Sequence, residues 1–172
     1  MQEFIPFNGK ILPKLMLFIL LIPPLSIGWL SYRPLKIYKC IRVLDGDTVE
    51  LQGPSNKFRV RMSFIDAPES LQRSFDKVAI GLESTAYLKL RVEGKFVGFK
   101  LEGEDMYRRK LGVIYLGNKN INLEMVHSGF AVAYQRVSSF KYRQAQYIAR
   151  SRRSGIWQYE GFLSPWIFRQ LK

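Results

Sequence analysis

The chain has 172 residues and a formal charge of +13, from 27 Lys and Arg against 14 Asp and Glu. That length suits one domain with an appendage and a single buried core. The only histidine, His127, excludes nuclease mechanisms that need two histidines and excludes His/Cys zinc sites; the only cysteine, Cys40, excludes an internal disulfide.

The positive charge belongs to the folded part, because beyond residue 36 there are 23 basic residues and 13 acidic ones, a net of +10. Such a surface points to partners that carry phosphate, nucleic acid first and anionic lipid second. Residues 15–30 contain no charge and follow Lys10 and Lys14. As a helix they reach about 24 Å, short of a hydrocarbon core of about 30 Å. The wider segment 11–32 is long enough to span, with a kink at Pro23-Pro24. Two readings compete: a cleaved secretory signal, with Ser26-Ile27-Gly28 as a small-x-small site, and an uncleaved membrane anchor. Arg33, Lys36, Lys39 and Arg42 outnumber the basic residues before the segment, which blurs its orientation. The expectation is a cell-envelope or secreted protein, membrane attachment being preferred to full secretion.

Residues 33–38 read as a short linker containing Pro34, which divides the chain into 1–38 and a domain over 39–172. From residue 39, Ile41 and Val43 alternate with Arg42, an Asp-Gly turn follows, and Val49 and Leu51 continue the strand pattern. Gly53-Pro54-Ser55-Asn56 is turn chemistry. Phe58, Val60, Met62 and Phe64 then alternate with Arg59, Arg61 and Ser63, a half-buried strand ended by Pro68. The spacing predicts a helix over 73–91 with Val78, Leu82, Ala86 and Leu90 on one side. A second strand pair, 96–101 and 111–116, is joined by the charged loop 102–110. A short helix over 122–127 ends at Ser128-Gly129, where glycine suits a left-handed cap. A last helix is expected over 138–154, with Ser138 or Ser139 as N-cap. Strands, a helix, strands again and then helices imply an α+β fold with a small barrel.

Asp47, Asp66 and Glu69 stand at the ends of two strand-like segments in this basic chain. Two carboxylates about 4 Å apart repel by about 4 kcal/mol at an effective dielectric near 20, so Asp47 and Asp66 converge only around something positive. Oxygen ligands alone suit a hard cation, Ca²⁺ or Mg²⁺, rather than zinc. Each residue also has a commoner structural use: a turn aspartate for Asp47, an acid before proline for Asp66, a helix-start acid for Glu69.

Several segments together resemble the staphylococcal nuclease (thermonuclease) family. They are Val43-Leu44-Asp45-Gly46-Asp47-Thr48-Val49, Val60-Arg61 with Ile65-Asp66-Ala67-Pro68-Glu69, Asp105-Met106-Tyr107-Arg108-Arg109, and Gly129-Phe130-Ala131-Val132-Ala133-Tyr134. Gly155-Ile156-Trp157 and Pro165-Trp166-Ile167-Phe168-Arg169 close the series, which covers 39–169 in the family's order and spacing. The resemblance implies a five-stranded OB-fold-type β-barrel with about three helices, preceded here by the N-terminal hydrophobic helix. It implies one Ca²⁺ held by Asp47, Asp66 and the main-chain carbonyl of Ala67. It also implies Glu69 as the general base and Arg61 with Arg109 as the catalytic arginines. Tyr107 and Tyr134 match tyrosines of the nucleotide pocket, where stacking on any base is worth about 1–3 kcal/mol. One departure stands out: Arg108 occupies the glycine place of the family's Tyr-Gly-Arg motif. Between Glu124 and Glu160 there is no acid, and Arg136, Lys141, Arg143, Arg150, Arg152 and Arg153 gather into a basic surface. His127 falls in no motif and reads as structural.

The expected function is Ca²⁺-dependent hydrolysis of DNA, with RNA as a second substrate class, at little sequence selectivity and by a monomer with no protein partner implied. The first alternative is a catalytically impaired OB-type nucleic-acid-binding module tethered to the membrane. The second is a basic module for anionic lipid.

Overall fold

A computed structural model of the chain describes residues 35–136 and 139–171. The expected N-terminal hydrophobic helix, its cleavage or its retention as an anchor through 11–32, and Ser138 as an N-cap fall outside the described residues. No helix among the described residues is long and apolar enough to cross a membrane.

Three antiparallel strands open the domain: β1 (Lys36–Asp45), β2 (Thr48–Gln52) and β3 (Lys57–Met62). Strand β1 begins at Lys36, which pairs with Phe99, so residues 36–38 are strand and not the expected linker. The β1–β2 link is the two-residue turn Gly46-Asp47, with Asp45 opposite Thr48. A side chain at Gly46 would collide with Ser84 and with the methyl of Ala67, so glycine lets this turn pack inward. Strands β5 (Phe96–Glu104) and β6 (Lys110–Leu116) form the second hairpin. Strand β5 pairs with β1, and β6 pairs in parallel with β3, Val60 opposite Lys110 and Met62 opposite Gly112. That contact closes a five-stranded barrel, consistent with the expected OB-like α+β class.

The buried Asn122 amide secures the closure. It donates to the carbonyls of Ser63 (2.9 Å) and Gly112 (3.0 Å), and its oxygen accepts from the Ile114 amide (3.0 Å). Val43, Val49, Leu51, Val60, Met62, Val97 and Ile114 fill the interior, as alternation along each strand requires.

Four α-helices pack around the barrel among the described residues, where about three were expected. Helix α1 (Ile80–Val92) starts seven residues later than its periodicity suggests. Before it Lys77 takes a left-handed φ of +61°, and Ser74 Oγ accepts from the Val78 amide, so 73–79 folds as turns. Its buried face is Ile80, Ser84, Leu88 and Val92, whereas Leu82 and Leu90 of the expected face are exposed. Both faces carry apolar residues four apart, and the small Ser84 on one of them admits the Gly46 turn. Helix α2 (Ile121–His127) follows the two-residue strand β7 (Lys119–Asn120) and ends as expected before Gly129, whose φ is +79°. His127 is exposed on its last turn. Helix α3 (Phe140–Ser151) is shorter than the expected 138–154, and its N-cap, Ser139, makes no side-chain cap bond. It buries Tyr142, Ala145 and Ala149 and leaves Lys141, Arg143 and Arg150 exposed. A 3₁₀ turn (Gly155–Gln158) leads to α4 (Pro165–Gln170), a helix that the periodicity did not indicate. Finally β4 (Ile65–Asp66) pairs with β8 (Val132–Ala133), which carries the chain past one end of the barrel.

Candidate active site

Asp47 enters from the β1–β2 turn and is 6 % exposed. Its Oδ1 accepts the Thr48 hydroxyl (3.1 Å), and its Oδ2 accepts the Ala67 amide (2.8 Å) and the Arg61 guanidinium. Burial pushes the Asp47 carboxyl up to about 6, although Arg61 pulls the other way. Asp45 is a turn residue, since its Oδ1 accepts the Asp47 amide (3.0 Å).

Arg61 lies on β3 opposite Thr48, next to the turn that carries Asp47. Its fork bridges Asp47 and Asp66, with Nη2 2.8 Å from Asp66 Oδ1. The two carboxylates therefore do converge, and one guanidinium is the positive group between them. Arg59, two residues earlier, is exposed and outside this cluster. Asp66 is held by the β4–β8 pair and is 2 % exposed.

Glu69 lies past Pro68 on a turn without regular structure. Gln72, fully buried, holds its backbone: the Glu69 amide donates to Gln72 Oε1 (3.2 Å), and the Gln72 amide donates to the Glu69 carbonyl (2.7 Å). The Glu69 carboxylate accepts from Arg169 Nη1 (2.7 Å).

Arg109 comes from the β5–β6 loop. Asp105 Oδ2 accepts its Nε (2.7 Å), and Asp105 Oδ1 accepts the Tyr107 and Arg109 amides (2.9 Å each). Burial opposes the Asp105 charge, but these bonds outweigh it and hold the acid below the usual carboxylate range. Arg108, between them, adopts a φ of +59°, the conformation that glycine takes at least cost. Arg109 nevertheless reaches the site, and its guanidinium lies 5.6 Å from the centre of the Tyr107 ring. The Tyr107 side chain is largely exposed, while Tyr134 is half-buried and donates its amide to the Phe64 carbonyl (2.9 Å).

Asp47, Arg61, Ala67, Glu69, Tyr107, Arg109 and Tyr134 all line one cavity of about 740 Å³; Asp66 borders it through its bonds to Arg61 and Arg169. The eight residues singled out as catalytic, ion-holding or nucleotide-binding are thus gathered at one place. Two residues were missed, Arg169 and Gln72. Arg169 bonds Asp66 across 103 positions, too far for any local spacing to announce, although it closes a motif already noted. Gln72 carries no charge and stands in no motif, just before the expected helix over 73–91.

The donor set for an ion is oxygen only. Among the described residues no three His, Cys, Asp or Glu side chains form a metal cluster; two carboxylates with the Ala67 main chain are what the site offers. Its charge favours a cation all the same. With Asp105 paired to Arg109 and Glu102 paired to Lys100, the acids left are Asp45, Asp47, Asp66 and Glu69, opposed by Arg61 and Arg169, two negative charges in excess, the amount that one divalent ion neutralises. The contacts described above also leave an acceptor position on Asp47 Oδ1 and another on Asp66 Oδ2. The residues therefore fit a hard divalent cation.

Similarity to known proteins indicates the family. A family model described as "Staphylococcal nuclease homologue" matches residues 59–159. A Haemophilus influenzae protein named as an uncharacterized endonuclease is 37 % identical over 134 residues, covering 77 % of this chain and 72 % of its own length. A micrococcal nuclease of Shigella flexneri is 30 % identical over 155 residues, covering 83 % of each chain. The thermonuclease of Staphylococcus hyicus is 28 % identical over 140 residues, covering 78 % of this chain and 83 % of its own.

Proposed function

The chain belongs to the staphylococcal nuclease homologue family, and on that premise we propose that it is a Ca²⁺-dependent nuclease that hydrolyses phosphodiester bonds of DNA and RNA. The observation that carries this reading is the meeting of Asp47, Asp66 and Glu69 with Arg61 and Arg109 around one open cavity. Asp47, Asp66 and the Ala67 carbonyl would hold the ion, which supplies positive charge at the attacked phosphate. Glu69 takes a proton from the attacking water, a contribution of about 10²–10⁴ in rate. Arg61 and Arg109 donate N–H groups to the equatorial oxygens as they gain charge, which a planar fork does better than an ammonium. Tyr107 and Tyr134 present ring faces to bases without regard to their identity, in keeping with low sequence selectivity. On this reading the protein is a monomer, attached to the membrane through 11–32 if that segment is not cleaved.

A nucleic-acid zymogram tests the mechanism in three lanes: parent with Ca²⁺, parent with EDTA, and Glu69→Gln with Ca²⁺. Clearing is expected in the first lane alone. Equal clearing in all three would rule out the ion and the base together. No clearing anywhere, with nucleic-acid binding intact, supports the impaired binding module. Arg108 is the feature that keeps that alternative in view.

A further inference from the structure

Arg169 reaches the site from α4, near the far end of the chain, and it is tied to the very acids on which the reaction depends. Its Nη2 lies 2.6 Å from Asp66 Oδ2, and its Nη1 lies 3.2 Å from Asp66 Oδ1 and 2.7 Å from Glu69 Oε1. One guanidinium thus grips both oxygens of the ion ligand and one oxygen of the base.

The two acids differ in how much they need this. Asp66 is buried on β4 and is also held by Arg61. Glu69 is on a turn with its side chain 38 % exposed, and Arg169 is the one partner of its carboxylate among the described residues. Without that partner the side chain regains rotamer freedom, and a base must keep its place to work. Gln72 reinforces the connection. While its Oε1 accepts the Glu69 amide, its Nε2 donates to the Leu163 carbonyl (2.6 Å), two residues before α4. The helix itself is anchored by the buried Pro165 and by Ser164, whose hydroxyl accepts the Ile167 amide (3.4 Å). The base and the helix that carries Arg169 are therefore fastened to the same buried amide.

We propose that Arg169 is a positioning residue of the active site, which holds the ion ligand Asp66 and the base Glu69 in one fixed arrangement and makes α4 part of the site. The proposal rests on the nuclease reading for its effect on rate, while the tie itself can be measured without any reaction. Lysine is a poor replacement, because a point charge cannot grip Asp66 with two parallel bonds and reach Glu69 as well.

The test uses the full chain with Arg169→Gln, Arg169→Lys, Asp66→Asn and the Asp66→Asn/Arg169→Gln double variant. In EDTA, the shifts in unfolding midpoint from Asp66→Asn and Arg169→Gln are expected not to add in the double variant. With Ca²⁺ and a DNA substrate, Arg169→Gln is expected to lower kcat by about tenfold or more, with KM within about twofold of the parent. Arg169→Lys is expected to recover part of that loss. A parental kcat in Arg169→Gln overturns the proposal, and so do additive midpoint shifts. Should Arg169→Gln fail to fold, Arg169→Lys reports the same split between kcat and KM, and a parental kcat there overturns the proposal equally. A parent chain that cleaves no nucleic acid removes the nuclease reading and leaves the cycle in EDTA to decide the tie.

Discussion

Asp47 must be an anion in a place that disfavours anions. Its side chain is almost wholly buried, and burial lifts its carboxyl from the ordinary 3.8 to about 6 against the pull of Arg61. An acid with a raised folded-state value binds its proton more tightly in the folded chain than in the unfolded one. Its contribution to stability therefore falls as pH rises from about 4 to about 6, and is level above that. A shift of this size corresponds to on the order of 2–3 kcal/mol. Asp47→Asn removes the titration, so in EDTA the stability difference should move in the variant's favour across that window. Urea melts at pH 4, 5, 6 and 7.5 check this, and a difference independent of pH would show that Asp47 does not titrate there. The stored cost fits the proposal that these acids serve an ion rather than the fold. Arg108 is a second residue under tension, since a non-glycine at φ +59° costs about 1 kcal/mol. Arg108→Gly is expected to raise unfolding stability by about that amount. Arg109 is held through Asp105, not through its neighbour, so cleavage should match the parent's. A fall in kcat would mean that the Arg108 side chain itself meets substrate. The sequence showed the departure at 108, but only the backbone angle showed that the position still has the geometry of a glycine.

The start of α1 sets the position of the base. Gly81, in its first turn, packs so closely that an added Cβ would strike the Glu69 carbonyl and the Ser70 backbone. Alanine at a helical glycine normally gains about 1 kcal/mol. Here the obstacle is backbone, which cannot swing aside, and overpacking of that kind costs about 1–3 kcal/mol. Gly81→Ala is accordingly expected to destabilise the protein and to lower kcat, because the strain falls on Glu69. Thermal melts and initial rates measure the two effects, and a more stable, fully active variant would contradict the packing argument. This close approach was hidden in the sequence, where 73–91 looked like one continuous helix. Periodicity could not say which of two apolar faces of α1 turned inward, since Leu82 and Leu90 repeat as regularly as Ile80, Leu88 and Val92. The choice depended on Ser84 being small enough for the Gly46 turn, a tertiary condition. Helix α4 was missed for the opposite reason. Its Ser164-Pro165 start has the composition of a helix N-terminus, but six residues are too few to show a period.

At the scale of the whole molecule, hairpins and acids were legible while closures were not. Alternation and turn chemistry are local, so β1 to β3 and β5 with β6 were readable, as were the acidic motifs on them. The parallel β3–β6 pair and the Arg169 contact join distant parts of the chain and leave no local pattern. Charge is a property that is legible without contacts, and it carries the last prediction. Lys141, Arg143 and Arg150 are exposed on α3, which buries Tyr142, Ala145 and Ala149. A nucleic-acid strand that follows this helix releases condensed counterions, so log K against log salt falls by about 0.7 per neutralised phosphate on a single strand. The cleavage-deficient Glu69→Gln chain allows binding to be measured at equilibrium. Replacing Lys141, Arg143 and Arg150 with glutamine in that background should reduce the slope by about 2 and weaken binding alike for all sequences. Fluorescence anisotropy with labelled oligonucleotides from low to moderate salt gives the slope directly. An unchanged slope would assign these residues to an ordinary solvated helix face and move the strand's path to another side of the barrel.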